Sequence, residues 1–244
     1  MAAPYRPIAL DDSAQLLNLS YRLRYQSFCL ERLFFSKDQF PLELESDAFD
    51  RTSVHVGVLD AHDQLVGTAR VVKPSSAGLP LLRYCTLFPN ETTLADPSNT
   101  VVELSRVCVN RSASATDQRR AWREKHASAG LPSSGSAESS DAFLTLIKGM
   151  YQATKRVGGT HWIIAVEKAL RRRIGRYGLP FWTAGPEADY HGPVAPYMLS
   201  LAELDDVIRS GKYRWLEDFP AGLEPEFWSD PVDQPVRRRE VAVS

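Results

Sequence analysis

Hydrophobic and polar positions along the chain follow two periods. Val101–Val109 (V-V-E-L-S-R-V-C-V) alternates at period two and is rich in β-branched residues, which predicts a strand. Unbroken alternation puts Val101, Glu103, Ser105, Val107 and Val109 on one face, and Val102, Leu104, Arg106 and Cys108 on the other. Ser53–Leu59 alternates in the same way. The short turn Asp60–Asp63 then leads to Leu65–Lys73, which predicts an antiparallel hairpin. Helical spacing marks Ser13–Leu33, with Asp11, Asp12 and Ser13 at its capping end. A second helix, Asp141–Val157, carries Phe143, Leu144, Ile147, Met150 and Tyr151 on one face and stops at Gly158–Gly159. Beyond it, His161–Glu167 reads as a buried strand, Lys168–Tyr177 as a basic helix and Phe181–Thr183 as a strand. Gly185–Pro196 reads as a loop, Tyr197–Leu201 as a strand and Leu201–Arg209 as a helix. Leu81–Pro97 shows no period.

A hairpin and strand followed by helix-crossed strands predict a three-layer α/β sandwich around a mixed sheet. The 244 residues suit a single domain with elaborations. Residues 110–140 are rich in Ser, Ala and Gly and predict a flexible insertion, with a short basic helix around Gln118–His126. A C-terminal extension starts at about residue 211.

Composition narrows the function classes. The net charge of −1 supplies no field for nucleic acid or an anionic membrane. Three cysteines, Cys29, Cys85 and Cys108, without a Cys-x-x-Cys pair, fit neither a disulfide framework nor a zinc site. No signal-peptide run opens the chain and no stretch is long and apolar enough for a membrane span, so the expected location is the cytoplasm. Neither G-x-G-x-x-G nor G-x-x-x-x-G-K-[ST] occurs, so a nucleotide-binding fold has no motif behind it.

The chemistry concentrates in polar residues at apolar positions. Glu103, Ser105 and Arg106 interrupt the strand at 101–109. Burying them is costly unless they are paired or working. They read either as an acyl-transfer site or as a wet strand face with a structural ion pair. Residues 41–53 gather Glu43, Glu45, Asp47 and Asp50 in what reads as a loop. Carboxylates at that density need cations, and arginines from the first helix and the sheet are the expected partners. Arg24 and Phe28 lie one helical turn apart and can face one cleft.

Y-R-L-R-Y-x-x-F at 21–28, E-x-D-x-x-D at 45–50, G-T-A-R at 67–70 and E-x-S-R at 103–106 together resemble the autoinducer synthase family, which makes acyl-homoserine lactones. F-C-L-E-R at 28–32, F-D-R-T-S-V-H at 49–55, H-W-I-I-A-V-E-K-A-L-R-R-R at 161–173 and Y-H-G at 190–192 bring the chain closer to that family's relatives. These are the N-acyl amino acid synthases and the acyltransferases of PEP-CTERM/exosortase systems. The resemblance runs from about Tyr21 to Leu201 and implies a GNAT fold, a three-layer α/β/α sandwich around a mixed, mostly antiparallel sheet. It implies amide formation from a fatty acyl thioester. It also implies functional positions at Arg24, Phe28, Asp47, Asp50, Arg70, Glu103, Ser105 and Arg106. Two departures stand out. Phe34 occupies the place of a family tryptophan, and N-R-S-A-S-A-T replaces the Gly-rich pyrophosphate loop, which favours acyl carrier protein over CoA as donor.

On this reading Glu103 is the base, a backbone N–H near Val107 holds the oxyanion, and Ser105 orients the amine or helps protonate the thiolate. Arg106 steadies the carboxylates or binds an acceptor carboxylate. An apolar slot between the strands at 101–109 and 161–166, lined by Val107, Trp162 and Ile164, is expected to take the acyl chain. The donor is acyl carrier protein or acyl-CoA, the acceptor an amino acid, small amine or peptide, and no tightly bound cofactor or metal is expected. Arg119–Lys125 and Arg171–Arg176 are docking patches for an acidic carrier. The competing readings are an acyl-homoserine-lactone synthase and a non-catalytic acyl- or carrier-binding module.

Overall fold

A computed structural model of the chain describes residues 5–109 and 137–228. Eight strands form the sheet: β1 Tyr5–Ala9, β2 Ser53–Asp60, β3 Leu65–Val72, β4 Val101–Val109, β5 His161–Val166, β6 Trp182–Thr183, β7 Ala188–Asp189 and β8 Pro193–Ser200. Their order is β1-β2-β3-β4-β5-β8-β6, with β7 pairing β8 off the main path. Only β4 and β5 are parallel, so the sheet is mixed and mostly antiparallel.

The helices are α1 Ala14–Tyr25, α2 Ala137–Arg156, α3 Lys168–Arg176 and α4 Leu201–Arg209. The larger core lies on one face of the sheet. There Val56, Val71, Val102, Leu104, Trp162 and Leu199 meet Leu146, Ile147, Met150 and Tyr151 of α2, together with Ile174 and Leu204. The opposite face carries α1 and the connections at 41–52 and 79–100, with a smaller core of Phe49, Val72, Leu79, Leu81, Val101, Ile163 and Met198. These are the three layers of an α/β/α sandwich.

Several boundaries differ from the sequence reading. β1 was not among the expected elements. Pro7 sits on the outermost strand opposite Val58, where one ladder donor is dispensable. The first helix runs in α geometry to Tyr25 and then widens into a π-helical turn over Gln26–Glu31. Leu33, at φ 56°, ends it. The last long strand starts at Pro193 rather than Tyr197, inside the expected loop. The insertion expected at 110–140 lies outside the described residues up to 136, as do the basic helix expected around Gln118–His126 and the Arg119–Lys125 patch. Its last four residues instead open α2, which starts at Ala137 rather than Asp141.

One buried polar set ties α2 to α4. The Tyr151 hydroxyl donates to Asp205 Oδ1 at 2.7 Å, and Lys155 Nζ meets Asp205 Oδ2 at 2.7 Å. Burial raises the Tyr151 phenol, with the Asp205 charge adding to it. Tyr151→Phe is expected to cost about 2 kcal/mol, because the buried carboxylate loses a donor. Urea unfolding at pH 7 measures it, and an unchanged midpoint contradicts it.

Candidate active site

The decisive local feature is a bulge in β4. Thr68 pairs with Cys108 and Arg70 with Ser105, so Ala69 alone spans both Arg106 and Val107. Arg106 takes φ 53°, a left-handed value that marks the extra residue. The bulge shifts the phase of the strand. Val102 and Leu104 before it, and Val107 and Val109 after it, all pack toward α2. Val101 and Cys108 belong to clusters on the α1 side. Arg106 therefore does not oppose Ser105, as unbroken alternation had it. Its guanidinium joins the same polar cluster as Arg70, which bonds Ser105.

That cluster draws on α1, β2, β3, β4 and the acidic stretch at 45–50, with Asp11 beside them. Arg24 of α1 is buried and donates to Glu45 at 2.6 Å and to the two Asp50 oxygens at 2.7 and 3.2 Å. Arg70 of β3 donates to Asp47 at 2.6 and 3.1 Å, to Asp50 at 2.9 Å and to Ser105 Oγ at 3.3 Å. Arg106 donates to both Glu45 oxygens at 3.1 and 3.2 Å and to Asp47 at 3.0 Å. His55 of β2 lies between Asp11 at 2.6 Å and Asp50 at 3.0 Å. Three guanidinium groups thus face three carboxylates, which is what makes their burial affordable.

The acidic stretch holds its shape locally. Asp47 and Asp50 form a capping box around the short 3-10 turn Ala48–Thr52: Asp47 Oδ1 accepts from Phe49 N–H, and Asp50 Oδ2 accepts from Asp47 N–H. Burial alone would raise Asp50. Hydrogen bonds from His55 and Arg24, with the charges of Arg24 and Arg70, instead hold it well below the carboxylate range. Burial opposes the charged form of His55, but its bonds to Asp11 and Asp50 raise its pKa. The solvent-facing edge of the network is Asp47 and Arg106, with side chains 28% and 12% exposed.

Glu103 stands beside this network, on the face toward α1. It is 3% exposed, and its Oε2 accepts from the Leu81 N–H at 2.8 Å. Burial pushes its carboxyl up to about 7, against the pull of the Leu81 N–H and of the Arg70 and Arg106 charges. Glu103 also marks a vertex in the sheet. β4 and β5 pair only at Val101↔His161, Val102↔Trp162 and Glu103↔Ile163, and beyond that point the pairing stops. From Leu104 and Ile164 onward the two strand edges no longer pair with each other.

Aromatic rings gather around Arg106. Its guanidinium lies 4.8 Å from the Phe35 ring and 5.8 Å from that of Phe28. Phe34 stacks on Phe28 at 6.3 Å and on His191 at 5.3 Å. The Y-H-G turn, with His191 at φ 56° and Gly192 at φ 114°, places Tyr190 against Arg106 and stacks it on Tyr84 at 4.1 Å. Burial raises the Tyr190 phenol.

The structure therefore brings together Arg24, Phe28, Phe34, Asp47, Asp50, Arg70, Glu103, Ser105 and Arg106. It does not bring Val107, Trp162 and Ile164 to them. Trp162 and Ile164 are buried in the α2-side core, Val107 packs on that same core, and Trp162 Nε1 donates to Thr154 Oγ1 at 2.8 Å. The slot expected from them is occupied by their own packing. Of the carrier patch, Arg171 donates to the Phe181 carbonyl and lies over Tyr197, and Arg173 lies over Phe143, so both also serve local packing. Arg172 and Arg176 are exposed. Sequence reasoning gave His55 and Asp11 no place in the site, and it named Glu45 only as one of the carboxylates expected to meet arginines; Arg24 and Arg106 are those arginines. Tyr190 was visible only through Y-H-G.

Residues 23–118 match the acetyltransferase (GNAT) domain family. Over those residues the chain is an acyltransferase domain of GNAT type. Solved structures share the fold of this acyltransferase at low identity. FeeM, an N-acyl amino acid synthase from uncultured soil microbes, is 12% identical with a TM-score of 0.51, over 83% of this chain and 93% of FeeM. BjaI, a CoA-dependent acyl-homoserine lactone synthase solved with SAM and isopentyl-CoA, is 17% identical with a TM-score of 0.55, over 87% of this chain and 90% of BjaI. TofI, solved in a ternary complex with an inhibitor and MTA, is 19% identical with a TM-score of 0.53, over 91% of this chain and 100% of TofI. No curated protein matches the acyltransferase by sequence. Among the described residues no helix is long and apolar enough to cross a membrane.

Proposed function

We propose that the chain moves a fatty acyl group from a carrier-protein or coenzyme A thioester to the amine of an amino acid, another small amine or a peptide side chain. The observation that carries this reading is Glu103, a carboxyl titrating near neutrality at the vertex where β4 and β5 part. The parted strand edges suit an extended, amide-bearing thioester arm, which can pair with them as an added strand. FeeM and BjaI, which share the fold, are named as an N-acyl amino acid synthase and a CoA-dependent acyl-homoserine lactone synthase.

In this scheme the amine nitrogen attacks the thioester carbon, the C–N bond forms and the C–S bond breaks. Glu103 takes the proton lost by the amine, directly or through water or the Ser105 hydroxyl, and that proton ends on the departing sulfur. A carboxyl near 7 accepts and returns a proton with little penalty in either direction. The bulge at Arg106 and Val107 frees a backbone N–H from the ladder, and this amide serves the oxyanion. Arg106 spends its donors on Glu45 and Asp47. Its role is to hold the carboxylates in place rather than to receive an acceptor carboxylate.

The test is incubation of the purified chain with decanoyl-CoA, or a decanoyl carrier protein, and a mixture of amino acids. Free thiol should appear, and mass spectrometry should show an N-decanoyl amino acid. A lactone formed from S-adenosylmethionine would make the chain an acyl-homoserine-lactone synthase. Acyl binding without thiol release would make it a binding module.

A further inference from the structure

The net charge of −1 conceals one strongly cationic face. α3 buries Ile174 and turns Arg172 and Arg176, one helical turn apart, to the surface. The segment after α4 folds back over the C-terminal end of this helix. Trp215 Nε1 donates to the Tyr177 carbonyl at 3.0 Å, and the Trp215 ring meets those of Tyr177 at 6.2 Å and Tyr213 at 5.4 Å. Gly178, at φ 78°, lets Tyr213 come this close, because a Cβ there would strike its ring. The fold-back brings Lys212 and Arg214, both exposed, to the same end of α3. Among the described residues no carboxylate pairs with Arg172, Arg176, Lys212 or Arg214. Neighbouring charges are already matched, Lys168 with Glu187 at 2.8 Å and Lys148 with Asp218 at 2.6 Å. Against the four cations stands Glu217, exposed on the same segment.

We infer that this face rests on an anionic lipid surface. The contact is peripheral, since no helix among the described residues is long and apolar enough to cross a membrane. Charge selects the sign of the partner. Four cations without a carboxylate to hold them are free to meet phosphate oxygens, and an arginine does so with two parallel bonds. Trp215 adds the apolar half. It is 42% exposed while its N–H is turned inward to Tyr177, so it offers hydrocarbon to whatever lies outside. Tryptophan and tyrosine beside arginine and lysine match the headgroup layer, where one end of a side chain is apolar and the other wet. The cations come from two separate elements, and their long side chains are unanchored. That suits a fluid plane of phosphates, which needs no fitted mate. Near such a plane each cation strengthens attachment about fivefold at low salt.

Co-sedimentation of the purified full chain with vesicles tests this face. The chain should pellet with phosphatidylcholine and phosphatidylglycerol mixed two to one, stay in solution with phosphatidylcholine alone, and leave the mixed vesicles in about 0.5 M salt. Arg172→Gln and Arg214→Gln should each weaken attachment about fivefold and together by roughly 25-fold. Neither side chain has a carboxylate partner to lose, so the melting temperature should hold. Arg22→Gln removes an equally exposed cation from α1, across the sheet, and should leave attachment unchanged. Tryptophan emission should shift to the blue on mixed vesicles, and Trp215→Phe should remove most of that shift. No attachment to the mixed vesicles overturns the inference, as does attachment that the folded double variant retains. An equal loss in Arg22→Gln also overturns it, since the chain would then respond to overall charge. If vesicles leave the chain in solution while acyl carrier protein binds the wild type and not the double variant, the face docks an acidic protein and the lipid assignment falls.

Discussion

Glu103→Gln should lower amide formation by about 10²–10⁴-fold and, at the same time, stabilise the chain in alkali. The carboxyl has a folded-state pKa of about 7, against 4.5 for the ordinary group. Between those values the folded chain keeps a proton that the unfolded chain releases. Stability from this group is therefore complete below about pH 4.5 and is lost as pH rises through about 7. By pH 8 the buried carboxylate costs on the order of 3 kcal/mol relative to its protonated form. Glutamine keeps an oxygen to accept the Leu81 N–H and cannot ionise. The variant should melt near the wild type at pH 5 and well above it at pH 8. Wild-type kcat/KM should rise with pH through a midpoint near 7, and the residual rate of the variant should lack that limb. Full turnover in Glu103→Gln removes the base, and a melting difference that ignores pH removes the raised pKa. Slower catalysis joined to higher stability is the mark of a strained functional group, which a purely structural carboxylate would not show.

The second large effect is on the arginine network. Arg24→Met should destabilise the chain by about 3–5 kcal/mol, lowering Tm by roughly 10 °C or more. Arg24 is 1% exposed and gives Glu45 and Asp50 three close contacts. Its loss leaves three carboxylates facing two guanidinium groups in a space with little water. Coulombic attraction then no longer offsets the cost of taking those charges out of solvent. Adding Glu45→Gln restores the balance and should recover much of the loss, giving a coupling energy of at least about 1 kcal/mol in a double-mutant cycle. Strictly additive losses would mean that the two residues act independently, contrary to their 2.6 Å contact. Acid should act in the same place. Asp50 is held below its ordinary value of 3.8, so the stability it contributes is present above that value and is lost as pH falls below it.

Read alone, the chain already determined much of the fold. Period-two alternation at 53–59, 65–73 and 101–109 specified strands because one buried face rewards it, and the 3.6-residue stripe at 141–157 specified a helix for the same reason. Elements with strong periods needed no partner to be legible. β1 did need one, since Pro7 is acceptable only on an outer strand beside Val58. The residue types of the site, Glu103, Ser105 and Arg106 with Arg24, Arg70, Asp47 and Asp50, stood out because charge is out of place in apolar runs. What they face was decided by tertiary structure. A single extra residue at Arg106 reverses the phase of β4, and pairing with β3, not local propensity, puts it there. The near-neutral carboxyl of Glu103 comes from the depth at which Leu81 and the sheet bury it, a property of packing that no spacing of letters encodes.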